Sequence, residues 1–210
     1  MNEGPGIDVI TILKITQTSE HFLKLDYISP TLGLTYGLLR QSKKNNNAVH
    51  ADLFDTAKIL RDAGNHSKQK FLKSYNPIQK RSAIGNNYHQ LEYASHFAAF
   101  IIENVSNVPD PSDLFTLTTQ TLNAFDQNFI PEIIFLKALY RFLKTEGFPV
   151  DSGWWQSLRN DDKSQAKILL TTPLVDFEDS FDLESAITIY KLLCQWAHKE
   201  TELKIKTIPL

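Results

Sequence analysis

The chain has 210 residues and a mass of 24.0 kDa, with 42% hydrophobic and 22% charged residues. That composition can bury a core and excludes wholesale disorder. The net charge of -2 hides an asymmetry: residues 40–81 hold ten Lys/Arg against three Asp, a local +7, while the rest hold twelve against twenty-one, or -9. Such a split points to a polyanion-facing segment on an acidic body.

The first 75 residues read as strands. Residues 7–16 are β-branched and apolar (Val9, Ile10, Ile12, Leu13, Ile15). Residues 21–28 alternate, with Phe22, Leu23, Leu25 and Tyr27 set against His21, Lys24 and Asp26. Residues 17–20 are turn chemistry. Ser29-Pro30-Thr31-Leu32-Gly33 is a second turn, with Pro30 fixing φ and Gly33 free to take positive φ. A third strand is expected at 34–40, a polar basic loop at 41–47, and further strands at 53–60 and 68–75. Five short strands with no helix between them predict a small antiparallel barrel over residues 1–76.

From about residue 77 the period becomes helical. Leu91, Ala94, Ala98, Ile101 and Val105 lie on one helix face. Asp110-Pro111-Ser112-Asp113 is a helix start, with Pro111 suited to the first helical position. That helix should run to about residue 125, another from 130 to 145 before Gly147 and Pro149, and a last one from 183 to about 198. Residues 148–181, with Trp154 and Trp155, read as irregular. The fold class is therefore α+β: a five-stranded barrel followed by a helical bundle over residues 77–210.

There is no phosphate-cradling P-loop, no dinucleotide fingerprint and no G-x-S-x-G elbow, so neither an enzyme nor a cofactor is expected. Cys194 sits among Tyr190, Leu193 and Ala197 at helical spacing and reads as a buried small hydrophobe rather than a nucleophile. One cysteine also excludes an internal disulfide and a zinc site of several thiolates. His89, Glu92 and His96 share a helix face, but the other histidines are not placed to complete a metal centre, and a solvated polar stripe is the better reading. No apolar run approaches the roughly 20 residues that span a bilayer. The N-terminal stretch MNEGPGIDVITILK lacks the flanks of a secretion signal, so a cytoplasmic protein is expected, in which the sequons at Asn65 and Asn104 mean little.

The basic segment carries the stronger signal. Arg40, Lys43, Lys44, Lys58, Arg61, Lys68, Lys70, Lys73, Lys80 and Arg81 are interleaved with Tyr36, Phe54, Phe71 and Tyr75. Cations neutralise phosphates and release counterions, and rings on a barrel face stack bases, so DNA binding is expected here. The competing reading makes the rings barrel core and the lysines ordinary surface. A second stripe, Lys137, Arg141 and Lys144 beside Ile133, Ile134 and Phe142, reads first as compensation of the helix dipole and second as a dock for an acidic peptide.

Four short segments follow one another along the chain: S-P-T-L-G-L-T-Y-G-L-L-R (residues 29–40), L-E-Y-A-S (91–95), A-L-Y-R-F-L-K-T-E-G-F-P (138–149) and E-L-K-I-K-T-I-P-L (202–210). In this order they resemble RecO, the bacterial recombination mediator. Many RecO proteins carry a four-cysteine zinc site after the Gly-aromatic-x-Pro exit. Here residues 150–155 read V-D-S-G-W-W, and Gln41-Ser42-Lys43-Lys44 stands where the family usually has a second Gly and Arg. The chain thus resembles a divergent, zinc-less member.

The resemblance implies an OB-fold barrel on a helical domain, with no catalytic site and a cytoplasmic, nucleoid-associated location. It implies binding of single- and double-stranded DNA, strand annealing, and action with RecR to load RecA onto strands coated by single-stranded-DNA-binding protein (SSB). It also implies that the acidic C-terminal tail of SSB docks on Lys137, Arg141, Phe142 and Lys144. Two alternatives stand beside it: a nucleic-acid or RNA-binding adaptor on the same barrel, and a metal-dependent enzyme around His89 and His96.

Overall fold

In the computed structural model, residues 6–41, 50–61, 70–105, 110–177 and 182–205 are described. The chain divides into two compact units, Met1–Arg81 with Val105–Thr119, and Ser82–Asn104 with Gln120–Leu210.

The first unit is a closed barrel of β1 (Ile7–Gln17), β2 (Phe22–Ser29), β3 (Gly33–Arg40), β4 (Thr56–Arg61) and β5 (Phe71–Gln79), in the ring order β1-β2-β3-β5-β4. This is the OB-like connectivity. The β-branched run of β1 supplies a long strand that pairs with β4 through Ile7 to Thr11 and with β2 through Thr11 to Gln17. A bulge between Ile12 and Lys14 bends it from one partner to the other. Four of the five ladders are antiparallel and the β3–β5 ladder is parallel. A ring with an odd number of strands cannot alternate direction all the way round, so one parallel pair is unavoidable.

The interior is filled by Ile10, Ile12, Leu23, Leu25, Tyr27, Ala57, Ile59 and Leu72. Burial in this apolar interior pushes the Tyr27 hydroxyl up to about 12. The Ser-Pro-Thr turn is bolted to β1 by a buried carboxylate: Ser29 Oγ and Thr31 Oγ1 donate to Asp8 Oδ2 at 2.6 and 2.9 Å. Ser29 Oγ in turn accepts the N–H groups of Thr31 and Leu32, and Gly33 completes the turn at φ +66°.

β4 begins three residues later than the spacing predicts. Leu53 and Phe54 belong to a turn in which Phe54, 2% exposed, holds φ +65°. β5 runs to Gln79, past Asn76-Pro77, because Pro77 lies beside the register shift at Thr56/Ala57, where the ladder is already interrupted.

The second unit is helical: α1 (Ser82–Asn86), α2 (Tyr88–Asn104), the C-terminal part of α3 (Pro111–Asp126), α4 (Pro131–Thr145), the turn α5 (Trp155–Ser157), α6 (Asn160–Thr171) and α7 (Leu183–Glu200). α4 is its hub, with Ile133, Ile134, Phe135, Leu136, Leu139, Phe142 and Leu143 all buried. Phe135 meets Tyr93, Phe97 and Tyr190 edge-on at 6.4, 6.0 and 5.4 Å. Of the expected irregular stretch 148–181, the described residues 148–177 are largely helical, and 178–181 lie outside the described residues. A π-helical turn (Val150–Trp154) leads into α5 and α6. α6 escapes a periodicity argument because only Ala166 and Leu169 are buried along its 12 residues. Trp154 is fully buried against Tyr140 and Trp155. Among the described residues, no helix is long and apolar enough to cross a membrane.

Gly37 is the tightest point of the barrel. A Cβ there would stand 2.7 Å from Leu72 Cδ2 and 2.8 Å from its Cγ. Gly37→Ala should therefore destabilise the barrel by about 1–3 kcal/mol through overpacking. In a Leu72→Ala background the same change should cost much less, since the two sites share one space. Urea unfolding of the four variants in the cycle checks this; equal costs in both backgrounds would contradict the packing.

Candidate nucleic-acid interface

Strand alternation sorts β2 into two faces. Leu23, Leu25 and Tyr27 point inward and are buried, while Phe22, Lys24 and Asp26 are half-buried on the outside. Phe22 therefore leaves the apolar set to which its neighbours belong. On β3 the outward row is Tyr36, Leu38 and Arg40, and register places Arg40 beside Phe22, Leu38 beside Lys24, and Tyr36 beside Asp26. Closure through β3–β5 sets Phe71 beside Leu38.

The outer face of β2, β3 and β5 thus carries rings and cations together. The Lys24 and Lys70 ammonium groups lie 5.1 and 5.7 Å from the Tyr36 ring centroid. Lys70 Nζ also donates to Thr35 Oγ1 at 2.8 Å, and Lys24 is paired with Asp26 at 2.7 Å. Phe22 and Phe71 meet edge-on at 5.7 Å. Arg40 stands exposed at the end of the row. A half-exposed aromatic ring near two ammonium groups offers an unstacked base a surface and its phosphates cations.

The other expected cations fall in different places. Lys58 is exposed on the outside of β4, between Val9 and Asn76, on a strand that pairs with neither β2 nor β3. Lys73 is exposed on β5. Arg61 is half-buried, with its Nε buried. Lys80 is exposed and lies 3.8 Å from Asp55, a carboxylate that is itself buried and accepts from Tyr75 Oη at 2.6 Å. Burial and, after it, that hydrogen bond push the Tyr75 hydroxyl well above its ordinary range. Lys43, Lys44 and Lys68 lie outside the described residues. Of the interleaved rings, Tyr36 and Phe71 are on the outside, whereas Phe54 is buried and Tyr75 packs on the core. Sequence reasoning set Lys24 and Asp26 on the polar face without counting them in the site, and missed Phe22, which strict period-2 alternation in β2 sets outward.

On α4 the expected dock is partly occupied by internal contacts, which corrects the reading of Phe142 and Lys137. Phe142 is 3% exposed and packs edge-on against Phe100 at 5.0 Å, so it offers no pocket. Lys137 donates to the carbonyls of Leu170 and Thr172 at 3.1 and 2.6 Å, closing the C-terminal end of α6, and burial lowers its pKa. Lys144 pairs with Asp151 at 2.8 Å, and Tyr140 Oη also donates to that carboxylate. Together they hold the Asp151 carboxyl below the usual range. Arg141 is exposed and donates to Gln120 Oε1 at 2.6 Å.

One of the helix-face histidines is also engaged structurally. His89 Nε2 lies 3.1 Å from the buried Glu132 carboxylate on α4. Among the described residues no cluster of three or more His, Cys, Asp or Glu is placed to hold a metal ion. Burial pushes the Cys194 thiol up to about 12, away from the thiolate a nucleophile needs.

No family model matches the chain, and no curated protein is significantly similar to it.

Arg81 is a further correction. It is 2% exposed, and its Nη1 donates to the Phe54 carbonyl and, at 2.9 Å, to Thr56 Oγ1. The guanidinium thus fixes the strained Phe54 turn instead of facing solvent. Arg81→Met should destabilise the barrel by at least about 1.5–3 kcal/mol, the scale of one charged hydrogen bond left unmade. Chemical denaturation checks this, and unchanged stability would return Arg81 to the surface cations.

Proposed function

We propose that this protein binds nucleic acid, preferentially single strands, on the outer face of β2, β3 and β5, and that it acts without catalysis as a DNA-repair mediator of the RecO type. The observation that carries the reading is the Tyr36 ring flanked by Lys24 and Lys70, with Phe22, Phe71 and Arg40 on the same face. The ring supplies a stacking platform tolerant of sequence, and the ammonium groups supply salt-sensitive phosphate contacts. Closed OB-like barrels use this strand 2–3 face for oligonucleotides. The finer part, strand annealing and loading of RecA with RecR onto SSB-coated DNA, rests on the collinear resemblance to RecO. In this reading the SSB tail and RecR are partners without an assigned surface, since of the four α4 residues Arg141 alone is exposed and outside an ion pair.

Titration with single-stranded DNA, duplex DNA and RNA over a range of salt concentrations tests the reading. Tyr36→Ala should weaken single-strand binding by about 1–3 kcal/mol, the cost of losing one stacked base, at an unchanged salt slope. Lys70→Gln should weaken binding and flatten the log-log salt slope by about 0.7 on single strands. RNA that outcompetes DNA would favour an RNA-binding adaptor. Binding indifferent to both substitutions would place the site elsewhere.

A further inference from the structure

The candidate face carries a carboxylate beside its central ring. Asp26 stands beside Tyr36 in register, on the same outward row of β2 as Lys24, and its Oδ1 lies 2.7 Å from Lys24 Nζ. Lys24 Nζ is at the same time 5.1 Å from the Tyr36 centroid. The carboxylate therefore engages a cation that a phosphate beside Tyr36 would also need. Among the described residues on this face, Lys70 engages Thr35 and has no such anionic partner.

We infer that Asp26 is an internal competitor for the phosphate: it neutralises Lys24 on the empty face and must give up that pair when a strand binds. The inference rests on the assignment of this face to nucleic acid. Two effects follow from electrostatics. A pair of partly exposed side chains is weak, so the competition tunes affinity and does not abolish it. In addition, a strand that takes Lys24 leaves Asp26 to recruit a cation from solution, which cancels part of the counterion release that drives binding. Asp26 thus lowers both the affinity and its salt dependence, and keeps the face selective for ligands that also stack on Tyr36. The opposite role, in which Asp26 helps binding by holding Lys24 over the ring, predicts the opposite sign.

The test is a salt-dependent titration of oligothymidylate against the full chain and three variants: Asp26→Asn, Asp26→Glu and Tyr36→Ala. Asp26→Asn keeps the size of the side chain and removes its charge. It should tighten binding about two- to fivefold and steepen the log-log salt slope by up to about 0.7. Asp26→Glu retains the charge and should bind as the parent does. Urea unfolding reports whether each variant keeps its fold. Unchanged or weaker binding by Asp26→Asn, with Tyr36→Ala still impaired, overturns the inference and leaves the face assignment standing. Tyr36→Ala binding as well as the parent overturns both.

Discussion

Closure of the barrel through the short parallel ladder between β3 and β5 is the constraint on which the rest of the first unit depends. Two register pairs, Leu38 with Phe71 and Leu39 with Leu72, and the Leu38 N–H to Lys70 carbonyl bond at 2.7 Å complete the ring. Gly37 permits it, because Leu72 fills the space a side chain would need. The same closure delivers Lys70 and Phe71 to the face that already holds Lys24, Phe22 and Tyr36. Fold and candidate site are thus one event: without the ladder the interior is open, and Tyr36 keeps only Lys24 of its two cations.

The charge excess of residues 40–81 is not one continuous surface. Arg81 is internal and pins a strained turn; Lys80 lies close to the buried Asp55; Lys58 faces out from a different strand. In the helical unit, Lys137 closes a helix end and Lys144 is held by Asp151. Arginine and lysine carry long apolar stems and many donors, which lets a folding chain use them as internal fasteners as readily as surface contacts. Charge density along a sequence therefore overstates the area available to a polyanion.

Local periodicity made much of the fold legible. The β-branched run of β1, the alternation in β2, the Ser-Pro-Thr-Leu-Gly turn and the start of α3 at Pro111 all follow from short-range chemistry. What stayed hidden has physical reasons. β5 continues through Pro77 because a neighbouring register shift removes the usual penalty, and α6 buries too few residues to show a face. The candidate site was only half legible. Tyr36, Arg40, Lys70 and Phe71 lie in or beside the basic segment, but Lys24 and Phe22 reach them across ladders, from a strand outside that segment. Arg81 and Phe142 were misread because nothing local distinguishes a cation or ring that turns inward from one that turns outward.

The central claim is that nucleic acid lies across Tyr36 between Lys24 and Lys70. Ultraviolet cross-linking of a single-stranded oligonucleotide to the full chain, followed by mass spectrometry of the adducts, tests it most directly. The account predicts adducts on Tyr36, with Phe22 or Phe71 as the secondary positions, suppressed at high salt. Adducts confined to the helical unit, or to β4 around Lys58, would contradict it.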